Sequence, residues 1–571
     1  MPVHNSDIAL IFSHLADLLE IKGENLFRVR AYRNAARTLE EMSRSAAEMV
    51  RNGEDLAQLP GIGKDLAGKI AEIVQTGKLA ALESLKQEIP EDLCNIMNIA
   101  GIGPKRVLSL HKKLGIRNLV DLDNAARAKK IRTLPGFGEK TEERILEELQ
   151  KAGTQGRKML LPVADEISGS IVKYLRQFPG TIKIDVAGSC RRRKETVRDL
   201  DILAISADDG IMDYFVGYPD VRRVVSKGET RSTIVLRSGI QVDLRVVPEE
   251  SYGAALHYFT GSKAHNIAIR TIGVKKGLKI NEYGVFRGNL RIAGATESEV
   301  YEKLGLPYIE PELRENRGEI EIARDGRLPR LVSMEDIRGD LHSHTKLTDG
   351  RASLEEMAEA AKARGHEYLA ITEHSKRLAM TRGLDEKRLA EQIKEIDKLN
   401  SRTTGFTLLK GIEVDILEDG SLDLADYILK ELDVVVCSVH SKFNLPGHKQ
   451  TERIIRAMDN KYFDILGHPS GRLIDQRDPY DIDMEKILRA AKDRECFLEV
   501  SADPHRLDLT DIHCKMAKEI GVKVAVSTDA HSTGNMDFLG YGLGQARRGW
   551  LEADDVINTR KLSDLLKLLK R

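Results

Sequence analysis

The sequence predicts a multidomain chain: an α-helical N-terminal region, an α+β middle and a C-terminal α/β region built on a parallel sheet or barrel. Three observations predict it. Residues 1–150 carry apolar side chains at helical spacing, as in Ile8, Ile11, Phe12, Leu15, Leu18 and Leu19. From about residue 180 the period changes to two, the signature of half-buried strands. After residue 336, short apolar runs alternate with helical stretches, as they do in a parallel sheet or barrel.

Composition sets the outer bounds. The 571 residues suffice for about three to five domains. The 89 Lys+Arg balance 89 Asp+Glu, so net charge does not argue for nucleic acid, and that case must come from local patches. Five scattered cysteines without a CxxC pair argue against a disulfide framework or a thiolate zinc site. The N-terminal stretch MPVHNSDIALIFSHL lacks the layout of a signal peptide, and no run of about 18 apolar residues offers a membrane span. A cytoplasmic protein without membrane contact is expected. Histidine is the uneven residue: ten of 15 fall after Asp340.

In the helical region one short pattern occurs three times: LPGIGKDLAGKI (59–70), IAGIGPKRVLSL (99–110) and LPGFGEKTEERI (134–145). Each opens a helix with Gly-hydrophobe-Gly, at Gly61 and Gly63, Gly101 and Gly103, Gly136 and Gly138. Two glycines let the backbone approach a phosphate, and the helix N-terminus behind them offers free N–H groups. Such contacts hold a duplex without reading its sequence. Lys64, Lys105, Arg106 and Lys140 add positive charge. One copy could be a plain glycine-capped turn; three copies resemble the helix-hairpin-helix motifs of DNA repair proteins.

The middle region holds GSCRRRKETVRDLDIL (188–203). Asp199 and Asp201 share one face of a strand, about 6–7 Å apart, with Leu200 and Ile202 on the other. That spacing suits a pair of divalent ions about 4 Å apart. TIKIDVAG (181–188) places Ile182, Ile184 and Val186 on one face. STIVLRSGIQVDLRVV (232–247) reads as a hairpin turning at Ser238-Gly239, and Asp243 on its second strand supplies a third carboxylate, the natural acceptor of the attacking hydroxyl's proton. Three Asp and a substrate triphosphate satisfy Mg²⁺ or Mn²⁺, and Ser189 and Arg192 are placed to bind the triphosphate. A lone DxD is more often a solvated strand edge; GS-x-RR before it and VDLR after it argue otherwise.

These motifs resemble polymerase β and the X family of DNA polymerases through most of residues 1–320. YFTGSKAHNIAIR (258–270) is similar to the family's nucleotide-selection segment and LGLPYIEPELRENRGE (304–319) to its closing stretch. The resemblance implies that Tyr258, Phe259 and Gly261 border the sugar and that Asn266 and Arg270 face the minor groove of the nascent pair. It implies a lyase-like helical domain over 1–90, a DNA-binding subdomain with two hairpins over 91–155, a palm over 156–250 and a thumb over 251–320. Arg193 and Arg198 stand where polymerase β has glycine, so altered contacts are expected in the triphosphate loop. FRVRAYRNAA (27–36) resembles the lyase domain's phosphate-binding stretch, which implies Arg28 as a ligand of a 5′-phosphate. Lys69 falls on the Schiff-base lysine, although Asp65 replaces a helpful lysine.

ENRGEIEIARDGRLPRLVSMED (315–336) is charged and without clear period, and a linker is expected over 321–336. Beyond it, His342, His344, Asp349, His374, Glu413, His440, His468, Asp529 and His531 fall at six strand ends, where barrel enzymes place their chemistry. Imidazole and carboxylate without sulfur suit Mn²⁺, Zn²⁺ or Fe²⁺. Several such ions activate water and clamp a phosphoester. The pattern resembles PHP (polymerase and histidinol phosphatase) domains over 337–571. The resemblance implies a distorted (β/α)7-type barrel holding up to three ions, with 3′→5′ exonuclease or abasic-site nuclease activity. Glu373 stands where that family usually has Asp. His366, His448, His505 and His513 read as structural or surface residues.

Together these readings predict a repair polymerase that fills short gaps, taking gapped or nicked DNA with a 5′-phosphate and dNTPs, as a monomer. Two other readings remain open at this point. One is a metal-dependent DNA phosphoesterase whose polymerase-like half only targets DNA, against which the intact palm carboxylates speak. The other is a non-catalytic scaffold, which would show eroded ligands.

Overall fold

The structure, a computed structural model, describes residues 5–40, 42, 46–59, 61–97, 99, 102–154 and 158–569 of the chain. They divide into two compact units. The first takes Met1–Met159 with Val216–Val225 and Thr233–Gln241; the second takes Leu160–Phe215, Ser226–Ser232 and Val242–Arg571.

The helical period of the N-terminal sequence is realised as packed helices. Helix α1 (Asn5–Lys22) lies against α2 (Leu26–Glu40), burying Ile8, Phe12, Leu15 and Tyr32, with the Phe12 and Tyr32 rings edge to face at 5.6 Å. Each Gly-x-Gly turn opens a helix: α3 (Lys64–Thr76), α4 (Pro104–Leu114) and α5 (Glu139–Thr154). Glycines close the first two, Gly77 and Gly115, both left-handed, where a Cβ would be strained.

The second unit begins with α6 (Leu161–Leu175) and strands β1 (Thr181–Val186), β2 (Asp199–Ser206) and β3 (Gln241–Val246), adjacent in that order. β1 and β2 are antiparallel, with Val186 opposite Ile202 and Ile184 opposite Ala204. One detail departs from the expected alternation: Ile184 is buried but Ile182 is 65% exposed. β1 is the edge strand of its sheet, so its outer end finds no cover. A three-stranded meander (Lys279–Asn281, Gly284–Arg287, Leu290–Ala293) and its helices follow.

The C-terminal third is the expected α/β barrel. Seven parallel strands run in sequence order: β4 (Gly339–Asp340), β5 (Tyr368–Ile371), β6 (Thr407–Asp415), β7 (Val434–Ser438), β8 (Ile465–Leu466), β9 (Phe497–Ser501) and β10 (Val524–Ser527). A bridge from Ser343 to Ala530 joins the first strand's end to the last and nearly closes the ring. Helices cover the outer face, so both faces are buried and the strands read as continuous apolar runs. The helix Leu354–Ala363 starts in a capping box of Ser353 and Glu356, a local signal legible in RASLEEM.

The segment expected as a linker is packed instead. Helix Glu319–Arg324 runs into it, Leu331 shares a core with Trp550, Val332 is fully buried, and the Val332 N–H donates to the Leu551 carbonyl at 2.9 Å. Its charged residues conceal two apolar anchors too few to show a period. All five cysteines are buried. Among the described residues no helix is long and apolar enough to cross a membrane.

Candidate active sites

The palm carboxylates come together on neighbouring strands. Asp199 and Asp201 lie on β2 and Asp243 on adjacent β3, Asp199 exposed and Asp243 buried. Burial, then the charges of Asp199 and Asp243, push the Asp201 carboxyl up to about 6, with Arg245 and Arg192 opposing. Carboxylates that raise one another in this way are suited to a divalent cation. Arg231 donates to Asp243 Oδ1 at 3.2 Å. Gly188, with φ +64°, brings the turn bearing Ser189 so close to β2 that a Cβ there would overlap Asp201 Oδ2. Glycine at that position is therefore required twice over.

The residues expected to meet the nucleotide lie beside these carboxylates. Arg192 donates from Nε to Glu315 at 3.0 Å and from a terminal nitrogen to the Thr260 carbonyl, beside Gly261. Tyr258 and Phe259 are half-buried, and the Arg245 guanidinium lies over the Phe259 ring at 4.1 Å. Asn266 donates to the Tyr258 carbonyl at 2.7 Å, while Arg270, one turn on, is exposed. Arg191 pairs bidentately with Glu297, which also accepts from the buried Arg314.

In the barrel the nine candidate ligands stand at or near the strand ends. Three overlapping sets have ligand atoms within 4.8 Å of one another: His344, Asp349, His374 and His531; His342, His344 and Asp529; His374, Glu413 and His440. His468 joins them through Nε2, 2.9 Å from Glu413 Oε1. His342 Nε2, both ring nitrogens of His344, Glu413 Oε2 and Asp529 Oδ1 are buried and make no hydrogen bond. Buried lone pairs pointing at one another are costly unless a cation takes them, so this donor set fits a multinuclear N/O metal site. Asp529 (φ +52°) and His468 (φ +27°) hold left-handed backbone, strain of the kind found at functional sites. Burial opposes charge throughout, yet Glu413 and Asp349 carry His374 up to about 10, while burial with His531 and His374 presses His344 down to about 3. Glu413 and Asp529 sit well below the usual carboxylate range because histidines surround them.

The three glycine turns repeat one geometry. The central hydrophobe is buried (Ile62, Ile102, Phe137), and its N–H bonds the carbonyl three residues back, at Leu59, Ile99 and Leu134, at 3.0–3.1 Å. Gly63, Gly103 and Gly138 are exposed, and an added Cβ at any of them would meet nothing within 4 Å. Neither strain nor internal packing requires glycine there. Gly61 and Gly136 adopt positive φ, and Gly101 lies outside the described residues. Lys64, Lys105 and Arg28 are exposed; Lys69 is paired with Asp65 and lies 5.9 Å from the centre of the Tyr32 ring.

Over its whole length the chain is 40% identical to the DNA polymerase/3'-5' exonuclease PolX of Bacillus subtilis, and it covers 100% of that protein. The chain is a family X DNA polymerase with a PHP domain. Family models place the polymerase's thumb at 255–315 (DNA polymerase beta thumb), its helical region at 3–79 (helix-hairpin-helix domain) and 83–151 (SAM-like helix-hairpin-helix tandem), and its PHP domain at 340–503. A DNA polymerase lambda of Arabidopsis thaliana is 27% identical over 55% of the family X chain and 62% of its own length. The barrel side has separate relatives: a probable phosphatase of Thermoanaerobacter sp. is 34% identical over 41% of this chain and 95% of its own length.

The family X polymerase carries further groups around its barrel cluster, of which the sequence singled out only Glu373. Glu499 on β9 is fully buried, lies 2.7 Å from His342 Nδ1 and accepts from the His468 N–H at 2.6 Å. A proton held between Nδ1 and Glu499 turns the His342 Nε2 lone pair into the cluster. Asp415 accepts from the His440 N–H, and Asp340 ties the His342 and Thr528 backbones together. Glu373 accepts from Thr345 and Thr348, fixing the turn before Asp349. Arg506 Nε, buried and without a hydrogen bond, lies 3.8 Å from Asp529 Oδ2. One signal was available for Glu499: a carboxylate in the middle of an apolar strand, CFLEV, must have a partner.

Proposed function

We propose that this polymerase fills short gaps in DNA with a 5′-phosphate, adding dNTPs to a 3′-hydroxyl, and that its barrel removes nucleotides from 3′ ends or cuts at abasic sites. The carrying observation is the convergence of three carboxylates, a Gly-Ser turn, Arg192 and the 258–266 segment on one place, in a chain that matches PolX end to end. Asp199, Asp201 and Asp243 would hold two ions, Mg²⁺ or Mn²⁺, which supply charge to steady the attacking and leaving oxygens. Asp243 accepts the proton of the 3′-hydroxyl, Ser189 and Arg192 hold the triphosphate, Tyr258, Phe259 and Gly261 border the sugar, and Asn266 and Arg270 meet the nascent pair's minor groove. The glycine turns and Arg28 hold the DNA backbone, consistent with Gly63, Gly103 and Gly138, at which neither strain nor close packing calls for glycine.

In the barrel the nine N/O ligands would hold up to three ions, Mn²⁺, Zn²⁺ or Fe²⁺, which supply an activated water. Glu499, Asp415 and Asp340 orient the ligands. Lys69, once released from Asp65 and deprotonated, adds to the aldehyde of a 5′ deoxyribose phosphate and loses water to form an imine, and borohydride trapping lost in Lys69→Ala but retained in Asp65→Asn is the expected result. The protein acts as a cytoplasmic monomer.

The deciding experiment is primer extension on a one-nucleotide gapped duplex, with Mg²⁺ or Mn²⁺ and each dNTP singly. Templated addition should vanish in Asp199→Ala plus Asp201→Ala and persist in His342→Ala plus His344→Ala, while Mn²⁺-dependent primer shortening should do the reverse. Shortening without addition by the wild type would leave the phosphoesterase reading standing instead.

A further inference from the structure

The palm turn that carries Ser189 and Arg192 is held by residues of the barrel. Arg548 ends helix α7 (Leu539–Arg548), 356 residues beyond that turn, and its side chain is only 2% exposed. One of its terminal nitrogens donates to the Arg192 carbonyl at 2.8 Å and to Glu315 Oε1 at 3.0 Å; the other donates to Asp511 Oδ2 at 2.6 Å. The same Glu315 oxygen accepts from Arg192 Nε. Two more contacts brace the turn: Arg472, four residues after His468, pairs with Glu195 at 2.7 Å, and the Arg193 guanidinium lies over the Tyr541 ring at 5.4 Å.

We propose that Arg548 is a positioning residue for the incoming nucleotide, neutralising Glu315 so that Arg192 can turn its donors to the triphosphate. The inference rests on the reading of Arg192 as a triphosphate ligand. Arg192 is engaged by Glu315 and Thr260, so a triphosphate must compete with a carboxylate for it. An unshared Glu315 would hold Arg192 firmly and repel the polyanion at close range in a dry environment, where charges act strongly. With Arg548 on the same oxygen, Glu315's charge is divided between two guanidiniums and its hold on each is weaker. Asp511 anchors Arg548 from the far side and also receives Arg317 at 3.0 Å, so the guanidinium is fixed before any nucleotide arrives. The barrel thus contributes a side chain to the polymerase's nucleotide affinity.

The test uses the full chain on a one-nucleotide gap, reading KM and kcat for the templated dNTP. Arg548→Met should raise KM about tenfold or more with kcat changed much less, since the interaction is one of binding. Barrel-dependent shortening of an unpaired 3′ end should stay at the wild-type rate. Adding Glu315→Gln to Arg548→Met should bring KM most of the way back, because the unshared charge is gone; a merely structural role for Arg548 predicts no such rescue. Should Arg548→Met fold poorly, Arg548→Lys and Glu315→Gln alone carry the test, with a small KM rise expected for the first and a fall for the second. A wild-type KM in Arg548→Met, absence of rescue, or a KM raised by Glu315→Gln would overturn the proposal while Arg192→Ala still raises KM. An unchanged KM in Arg192→Ala would instead remove the triphosphate reading of Arg192, and this inference with it.

Discussion

Asp201 is held where its charge costs stability. Its folded-state carboxyl titrates near 6, against 3.8 without the fold, because burial and two neighbouring carboxylates disfavour the charge. The folded chain therefore binds the extra proton between those values, and stability falls as pH rises from about 4 through 6. Above that window the cost is on the order of 2 kcal/mol after allowing for partial solvent access. In chelator at pH 7.5, Asp201→Asn should unfold at higher temperature than wild type while losing templated addition, and Mg²⁺ should narrow the gap by stabilising wild type more. Calorimetry with and without Mg²⁺ checks this; a variant that unfolds earlier in chelator would contradict it. At this scale the sequence was legible where spacing is local. DLD and HSH announce candidate pairs because residues two apart share a face on a strand, and HSH keeps that spacing just past the end of β4. Glu315 and Arg548 are 233 residues apart, and nothing in either neighbourhood names the other.

The glycine turns show what an element can reveal that its residues cannot. The count of three and the following helices were legible in the sequence, but only the fold separates glycines held at positive φ from those with neither strain nor close neighbours. Gly61 and Gly136 hold positive φ; Gly63, Gly103 and Gly138 do not, and their Cβ positions are open. Gly63→Ala, Gly103→Ala and Gly138→Ala should each change stability by less than about 1 kcal/mol, the range for alanine at an unstrained site. Affinity for gapped duplex should fall in all three, most in the triple variant, with a shallower salt dependence if phosphate contacts are lost. Titrations at several salt concentrations read both quantities, and unchanged affinity in the triple variant would sink the phosphate reading. The barrel's elements were legible for a different reason: strands covered on both faces are apolar runs, and nearly every run leads into a His, Asp or Glu. The exposure of Ile182 was not legible, because alternation gives a strand's faces and not its place in the sheet.

At the scale of the whole molecule, the three palm carboxylates and the nine N/O side chains of the barrel belong to one compact unit. A cation that binds only folded protein stabilises it by about 2.7 kcal/mol at a hundred times its Kd. Mn²⁺ should therefore raise the unfolding temperature of the transition to which the barrel belongs. Most of that rise should be missing in His342→Ala plus His344→Ala, with the remainder coming from the palm. An equal rise in the variant would place the bound ions elsewhere.

The packed segment around residue 331 has a practical consequence for anyone who cuts this gene. Its run of charges invites a break between polymerase and nuclease, yet Leu331 and Trp550 fill the same core and Val332 is pinned to Leu551. A truncation at residue 320 would strip the thumb of two apolar plugs and leave a greasy scar on each fragment. Modular shuffling of this protein is better attempted by exchanging side chains inside the barrel than by amputation.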